Sequence, residues 1–204
     1  MVKLAWLAEQ THRTHMKFNW PNLLTWLRIV MIPLFVGIFY FEQHWVSHAT
    51  QNLIAMAIFT AAAITDWLDG WLARRLNQTS AFGAFLDPVA DKLMVAAALI
   101  ILVQLGRIDA VIALVIIGRE ITISALREWM ASIGQGKSVA VSMVGKIKTA
   151  AQMIAIPMLL YHDMIGAFDP QYWGTRLIWA AAVLTLVSMG YYLKMAWGAA
   201  RANS

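Results

Sequence analysis

A chain of 204 residues, 60% hydrophobic and only 13% charged, lies outside the range of soluble globular domains, which carry roughly 25% charged residues. The same figures exclude intrinsic disorder, and the lack of cysteine excludes disulfide frameworks, cysteine-ligated zinc and thiol catalysis. The net charge of +5 fits the positive-inside rule or anionic lipid headgroups better than it fits nucleic acid.

Residues 1–21 are polar and interrupted by charges, without the apolar core of a signal peptide. They are expected to form a cytosolic or interface-lying segment ahead of a membrane domain over 22–204. Six apolar stretches follow, at 22–41, 49–72, 83–105, 108–130, 144–162 and 175–199. Each is long enough to cross the ~30 Å hydrocarbon layer as a helix of about 20 residues. Only Gly106–Arg107–Ile108–Asp109 separates the third from the fourth. The predicted fold is an all-α integral membrane protein of six transmembrane helices. Of the 16 Lys and Arg, all but Arg107 and Arg176 fall at ends that share a side with the N-terminus. The positive-inside rule then places both termini, the 73–82 loop and the 131–143 loop in the cytosol. Trp20, Trp45 and Trp173 near the span ends read as interface anchors. His12 and His15 precede the spans and His44, His48 and His162 lie at the far side, so the histidines predict no metal cluster.

The informative residues are charges inside apolar stretches. Asp66 and Asp69 lie in AITDWLDGW, Asp87 and Asp91 in GAFLDPVADK, and Arg119 and Glu120 in VIIGREITI. Each costs about 2.5–3.5 kcal/mol at a helix centre, so such residues face a bundle interior or a cavity and mark function. Asp66 and Asp69 are spaced i,i+3 and Asp87 and Asp91 i,i+4, so each pair shares a helix face. An antiparallel hairpin through the 73–82 loop would bring the four carboxylates together. Clustered carboxylates in a low dielectric call for a cation. Oxygen ligands without His or Cys suit Mg²⁺ or Mn²⁺, and a carboxylate-bridged pair of such ions serves displacement at phosphorus. Pro88 predicts that the third helix kinks or begins there.

The run Asp66-x2-Asp69-Gly70-x2-Ala73-Arg74-x8-Gly83-x3-Asp87-x3-Asp91 resembles the signature of the CDP-alcohol phosphotransferase family at all eight fixed positions. A chance match has odds on the order of 10⁻¹⁰ per starting position from average residue usage. The resemblance implies a six-helix fold, a homodimer and residue roles drawn from the family. Asp66, Asp69, Asp87 and Asp91 would hold two divalent ions. Asp91 would be the base that activates the acceptor hydroxyl, or simply a metal ligand. Gly70 and Ala73 would leave room for cytidine, Asp69 and Arg74 would serve the diphosphate, and Gly83 would allow close helix approach around the nucleotide. Asn22, Thr25 and Arg28 would cap the first helix or line the nucleotide pocket.

Two further stretches, NWPNLLTWLRIVMIPLF and GREITISALREWMASIGQGKSVAVSMVGKIKTAAQM, are similar to the bacterial branch of this family that takes CDP-diacylglycerol as donor and glycerol 3-phosphate as acceptor. A phosphorylated acceptor needs cationic, hydrogen-bonding partners. Arg119, deepest in its span, and Lys137, in a Gly-flanked loop, are the first candidates, with Arg127 and Lys146 beside them. Lys148 is expected only to follow the positive-inside rule. Glu120 and Glu128 are expected to pair with Arg119 and Arg127. The implied activity is transfer of a phosphatidyl group at the inner membrane of a bacterium, with the site facing the cytosol. Other acceptors, phosphatidylglycerol or an inositol phosphate, stay open at this point. So does a cation transporter that uses the intramembrane acids.

Overall fold

The computed structural model describes residues 20–42, 44–76, 81–132 and 143–202. They form six long helices: α1 Trp20–Gly37, α2 His48–Leu76, α3 Ala81–Gln104, α4 Ala110–Ser132, α5 Met143–Tyr161 and α6 Pro170–Ala202. A short 3₁₀ turn, Ile38–Tyr40, follows α1. Each helix falls on one of the six apolar stretches. No named strand occurs among the described residues.

The helix ends at one pole are set by local chemistry. The Ser47 hydroxyl accepts from the Thr50 amide at 3.2 Å, the Asp109 carboxylate from the Val111 amide at 2.7 Å, and the Asp169 carboxylate from the Tyr172 amide at 3.0 Å. These N-caps satisfy amides that α2, α4 and α6 would otherwise leave unpaired. Asp169 followed by Pro170 starts α6 five residues before its apolar stretch does, since proline is tolerated in a first turn. At the same pole α3 and α5 end on left-handed residues, Gly106 at φ +67° and His162 at φ +66°. The Gly106 turn resolves the boundary between the third and fourth stretches. Arg107, next to it, donates to the Leu159 and Leu160 carbonyls at 3.0 and 2.7 Å and to Asn52 Oδ1 at 2.7 Å. One guanidinium thereby ties the start of α2 and the α3–α4 turn to the last carbonyls of α5. Trp45 and Trp173 sit exposed at this pole, as does His44, paired with Glu42 at 3.2 Å.

Consecutive helices run antiparallel. α1 packs on α2 and α3, α2 on α5, and α6 on both α4 and α5. Phe35, Phe59, Leu99, Leu102, Ile116, Ile156, Leu159 and Ile178 fill the centre. The outer faces are apolar as well: Leu114 is 72% exposed, Phe85 66% and Trp197 66%. At Gly174 a Cβ would stand 2.9 Å from Leu159 Cγ and 3.2 Å from Met158 Cβ, so glycine sets the α5–α6 approach. Gly174→Ala is expected to cost about 1–3 kcal/mol by overpacking, seen as a lower melting temperature in detergent.

Among the described residues two helices are long and apolar enough by composition alone to cross a membrane, within His48–Leu68 and Pro170–Gly198, and Thr25–Tyr40 and Ile147–Tyr161 form shorter apolar helices. In α3 and α4 the apolar run is broken by the charges singled out above: Asp87, Asp91 and Lys92, then Arg119, Glu120 and Arg127. The expectation that α3 might begin at Pro88 is corrected. The helix starts at Ala81 and continues through Pro88, whose ring is exposed. An outward ring needs no space in the core, and the helix loses only the hydrogen bond that an amide there would make.

Candidate active site

At the pole opposite the caps, one face of α1 meets the acidic residues of α2 and α3. Thr25 and Arg28 are three residues apart, so both point the same way. Both are 1% exposed. The Thr25 hydroxyl donates to Asp87 Oδ1. Arg28 Nη1 lies 3.0 Å from Asp66 Oδ1, and the Asp66 side chain is 45% exposed. Asp91, one turn after Asp87, borders a narrow crevice with Arg28, Phe59 and Met94. Asp66, Arg28, Glu120 and Lys92 all lie within electrostatic reach of Asp91.

Of the four acids expected to gather, Asp66, Asp87 and Asp91 are described, and each stands on this face with a different neighbour. Among the described residues no three acidic or histidine side chains stand close enough to cage a metal ion. Like charges repel, and Arg28 and Thr25 each draw one aspartate toward α1. The donors that α2 and α3 present here are carboxylate oxygens, which fits a hard divalent ion rather than zinc. The side chains of Asp69, Ala73, Arg74, Asn22 and Lys146, the surroundings of Gly70, and the whole of Lys137 lie outside the described residues. Gly83 is buried.

A second cluster stands beside the first, with opposite charge. Glu120 Oε1 lies 3.0 Å from Arg119 Nη1 and also pairs with Lys148 Nζ. Arg119 is 7% exposed and Lys148 1%. Arg119 Nη2 also donates to Ser188 Oγ at 3.3 Å. Two buried cations share one carboxylate, so the cluster keeps a positive excess. A cavity of about 90 Å³ opens between it and the acids, bordered by Asp91, Lys92, Glu120, Thr149 and Gln152. Asp91 therefore borders both the Arg28 crevice and this cavity, with the Arg119–Lys148 pair held behind its Glu120 wall.

A sequence model of the CDP-alcohol phosphatidyltransferase family matches residues 18–187. The chain belongs to the CDP-alcohol phosphatidyltransferase family. It is similar to CDP-diacylglycerol–glycerol-3-phosphate 3-phosphatidyltransferases of Salmonella typhimurium and Salmonella paratyphi A, each 50% identical over 185 residues, covering 90% of this chain and 97% of the relative. The protein of that name from Escherichia coli K12 is 50% identical over 183 residues, covering 89% and 96%. Membership of this phosphatidyltransferase family sets aside the ion-carrier reading of the intramembrane acids.

Within this phosphatidyltransferase, Thr25, Asp66, Asp87, Asp91 and Arg119 come together at one end of the bundle. Arg127 is on the exposed side of α4, its guanidinium carbon 5.6 Å from the centroid of the buried Tyr192 ring. The expected pair of Glu120 with Arg119 is present, and Glu128 is exposed. The expectation for Lys148 is corrected. It is not a solvent-facing topology charge but a fully buried partner of Glu120. Its signal was available: it lies within an apolar stretch, four residues before Gln152 on one helix face. Arg28 carried the same signal, three residues after Thr25. Ser188 and Tyr192 carried none, since a serine and a tyrosine are ordinary in a membrane helix.

Proposed function

We propose that the chain transfers the phosphatidyl group of CDP-diacylglycerol to glycerol 3-phosphate, releasing CMP and forming phosphatidylglycerophosphate. The observation that carries this reading is the position of Asp91, which borders the Arg28 crevice and also a cavity whose Glu120 wall holds the buried cations Arg119 and Lys148. The primary hydroxyl of the acceptor forms a new bond to the lipid-side phosphorus, the bond from that phosphorus to CMP breaks, and the hydroxyl proton passes to Asp91. Asp66, Asp69, Asp87 and Asp91 would hold one or two divalent ions, Mg²⁺ or Mn²⁺. When bound, such ions neutralise charge that builds on the diphosphate as CMP leaves.

Arg74 and Asp69, with Gly70, Ala73, Gly83, Asn22 and Thr25, bind the CDP moiety in this reading. Thr25 also holds Asp87 in place by its hydrogen bond. Arg119 and Lys148, with Arg127, Lys137 and Lys146, receive the acceptor phosphate. That charge pattern favours glycerol 3-phosphate over an uncharged alcohol. All six helices cross the bacterial inner membrane, with both termini and the site on the cytosolic side. Support comes from the apolar outer faces, from the lysine and arginine distribution, and from the hydrocarbon tails of the donor, which must enter laterally. Residues 1–21 form an interfacial segment before the catalytic domain of 22–204. A homodimer is included on family grounds.

The test is an acceptor panel with purified protein in detergent micelles, CDP-diacylglycerol and Mg²⁺ or Mn²⁺. CMP release and lipid product are followed with glycerol 3-phosphate, inositol phosphate, phosphatidylglycerol or serine. Product is expected with glycerol 3-phosphate alone. Turnover with another acceptor in its place would keep the site and refute this reading of the cationic cluster.

A further inference from the structure

The cationic cluster has a back wall supplied by α6, which carries none of the signature residues. Ser188 and Tyr192 stand one turn apart there, 2% and 1% exposed. The Ser188 hydroxyl donates to the Thr185 carbonyl at 2.9 Å and accepts from Arg119 Nη2 at 3.3 Å. Its one proton is thus directed away from the guanidinium, and a lone pair toward it. The Tyr192 ring centroid lies 5.9 Å from the guanidinium carbon of Arg119 and 5.6 Å from that of Arg127. Leu126 and Met130 of α4 pack against Ala196 one turn further along α6, which holds the two helices together at this level. Both Ser188 and Tyr192 fall just beyond the family match, which ends at residue 187.

Arg119 and Arg127 are eight residues apart on α4, the first buried and the second exposed, and their like charges repel. A second carboxylate, added to the Glu120 that already pairs with Arg119, would hold both but would cancel the positive excess that a phosphate needs. An aromatic face attracts a cation through its quadrupole and carries no net charge. Glu120 already holds Arg119 from one side, and Tyr192 can gather Arg127 beside it without adding a second negative charge.

We propose that Tyr192, assisted by Ser188, is a positioning residue for acceptor binding, holding Arg119 and Arg127 together so that one acceptor phosphate meets both. The inference rests on the proposed reading that these arginines receive the acceptor phosphate. α6 thus sets affinity for the acceptor and leaves donor binding to α1, α2 and α3.

The experiment measures kcat and KM for CDP-diacylglycerol and for glycerol 3-phosphate in the full-length Tyr192→Leu, Tyr192→Phe, Ser188→Ala and Arg119→Gln variants. Tyr192→Leu is expected to raise the KM for glycerol 3-phosphate about tenfold, the scale of one desolvated cation–ring contact. Its kcat and its KM for CDP-diacylglycerol stay within about twofold. Tyr192→Phe keeps the ring and restores the acceptor KM. Ser188→Ala raises it about threefold, the scale of one neutral hydrogen-bond acceptor. If the leucine variant does not accumulate, Tyr192→Met removes the ring with a different apolar filler. An unchanged acceptor KM in the ring-less variant, or equal rises for both substrates, overturns the role of α6 when Arg119→Gln still raises the acceptor KM. An unchanged acceptor KM in Arg119→Gln refutes the underlying reading instead.

Discussion

Asp91→Asn is expected to lower kcat by about 10³-fold or more while the protein keeps its fold, as general bases contribute about 10²–10⁴. The amide has the shape of the carboxylate but cannot take up the acceptor proton near neutral pH. Asp91 borders both the Arg28 crevice and the neighbouring cavity, whereas Glu120, the other acid at that cavity, is engaged by Arg119 and Lys148. The assay is CMP release under saturating donor and acceptor, with melting temperature and elution volume as controls. A divalent-ion titration of the residual activity separates the two roles open to Asp91. A base lost alone leaves the half-saturating ion concentration unchanged, whereas a lost metal ligand raises it. Activity within tenfold of the parent would remove Asp91 from the role of base.

Glu120→Gln should be the most damaging neutral substitution for stability. Glu120 is the carboxylate that Arg119 and Lys148 share, and those two cations are 7% and 1% exposed. Replacing it with an uncharged amide leaves two buried like charges facing each other. Breaking a buried pair from one side costs about 3–5 kcal/mol, and the 27% exposure of Glu120 places this case near the lower end. Thermal unfolding in detergent reads the loss. The double variant Glu120→Gln/Lys148→Met should recover much of it, because it removes the second cation along with the anion. A double variant no more stable than Glu120→Gln alone would show that Glu120 acts through other contacts.

Helix positions were legible along the chain because lipid-scale apolar runs and turn chemistry are local. Asp109 before α4, Asp169–Pro170 before α6 and Gly106 after α3 each carry their boundary in one or two residues. The acids were legible for the same reason: a charge in an apolar run is costly, and i,i+3 or i,i+4 spacing places pairs on one face whatever the helix packs against. The donor chemistry followed from their spacing and its family resemblance.

Pairings between helices were not legible. Nothing local says that Arg28 meets Asp66, that Thr25 donates to Asp87, or that Lys148 reaches Glu120 across 28 residues. The same sequence cue, a cation near a helix end, describes the exposed Arg127 and the buried Lys148 alike. Which one turns inward depends on how α5 is rotated against α4 and α6, and packing over the whole bundle decides that. By itself, then, the sequence determined the six helices, the acids placed inside apolar runs and the family. Only the tertiary structure decided which charges are partners, because a charge pair is a property of two surfaces brought within about 4 Å, and no single helix contains both.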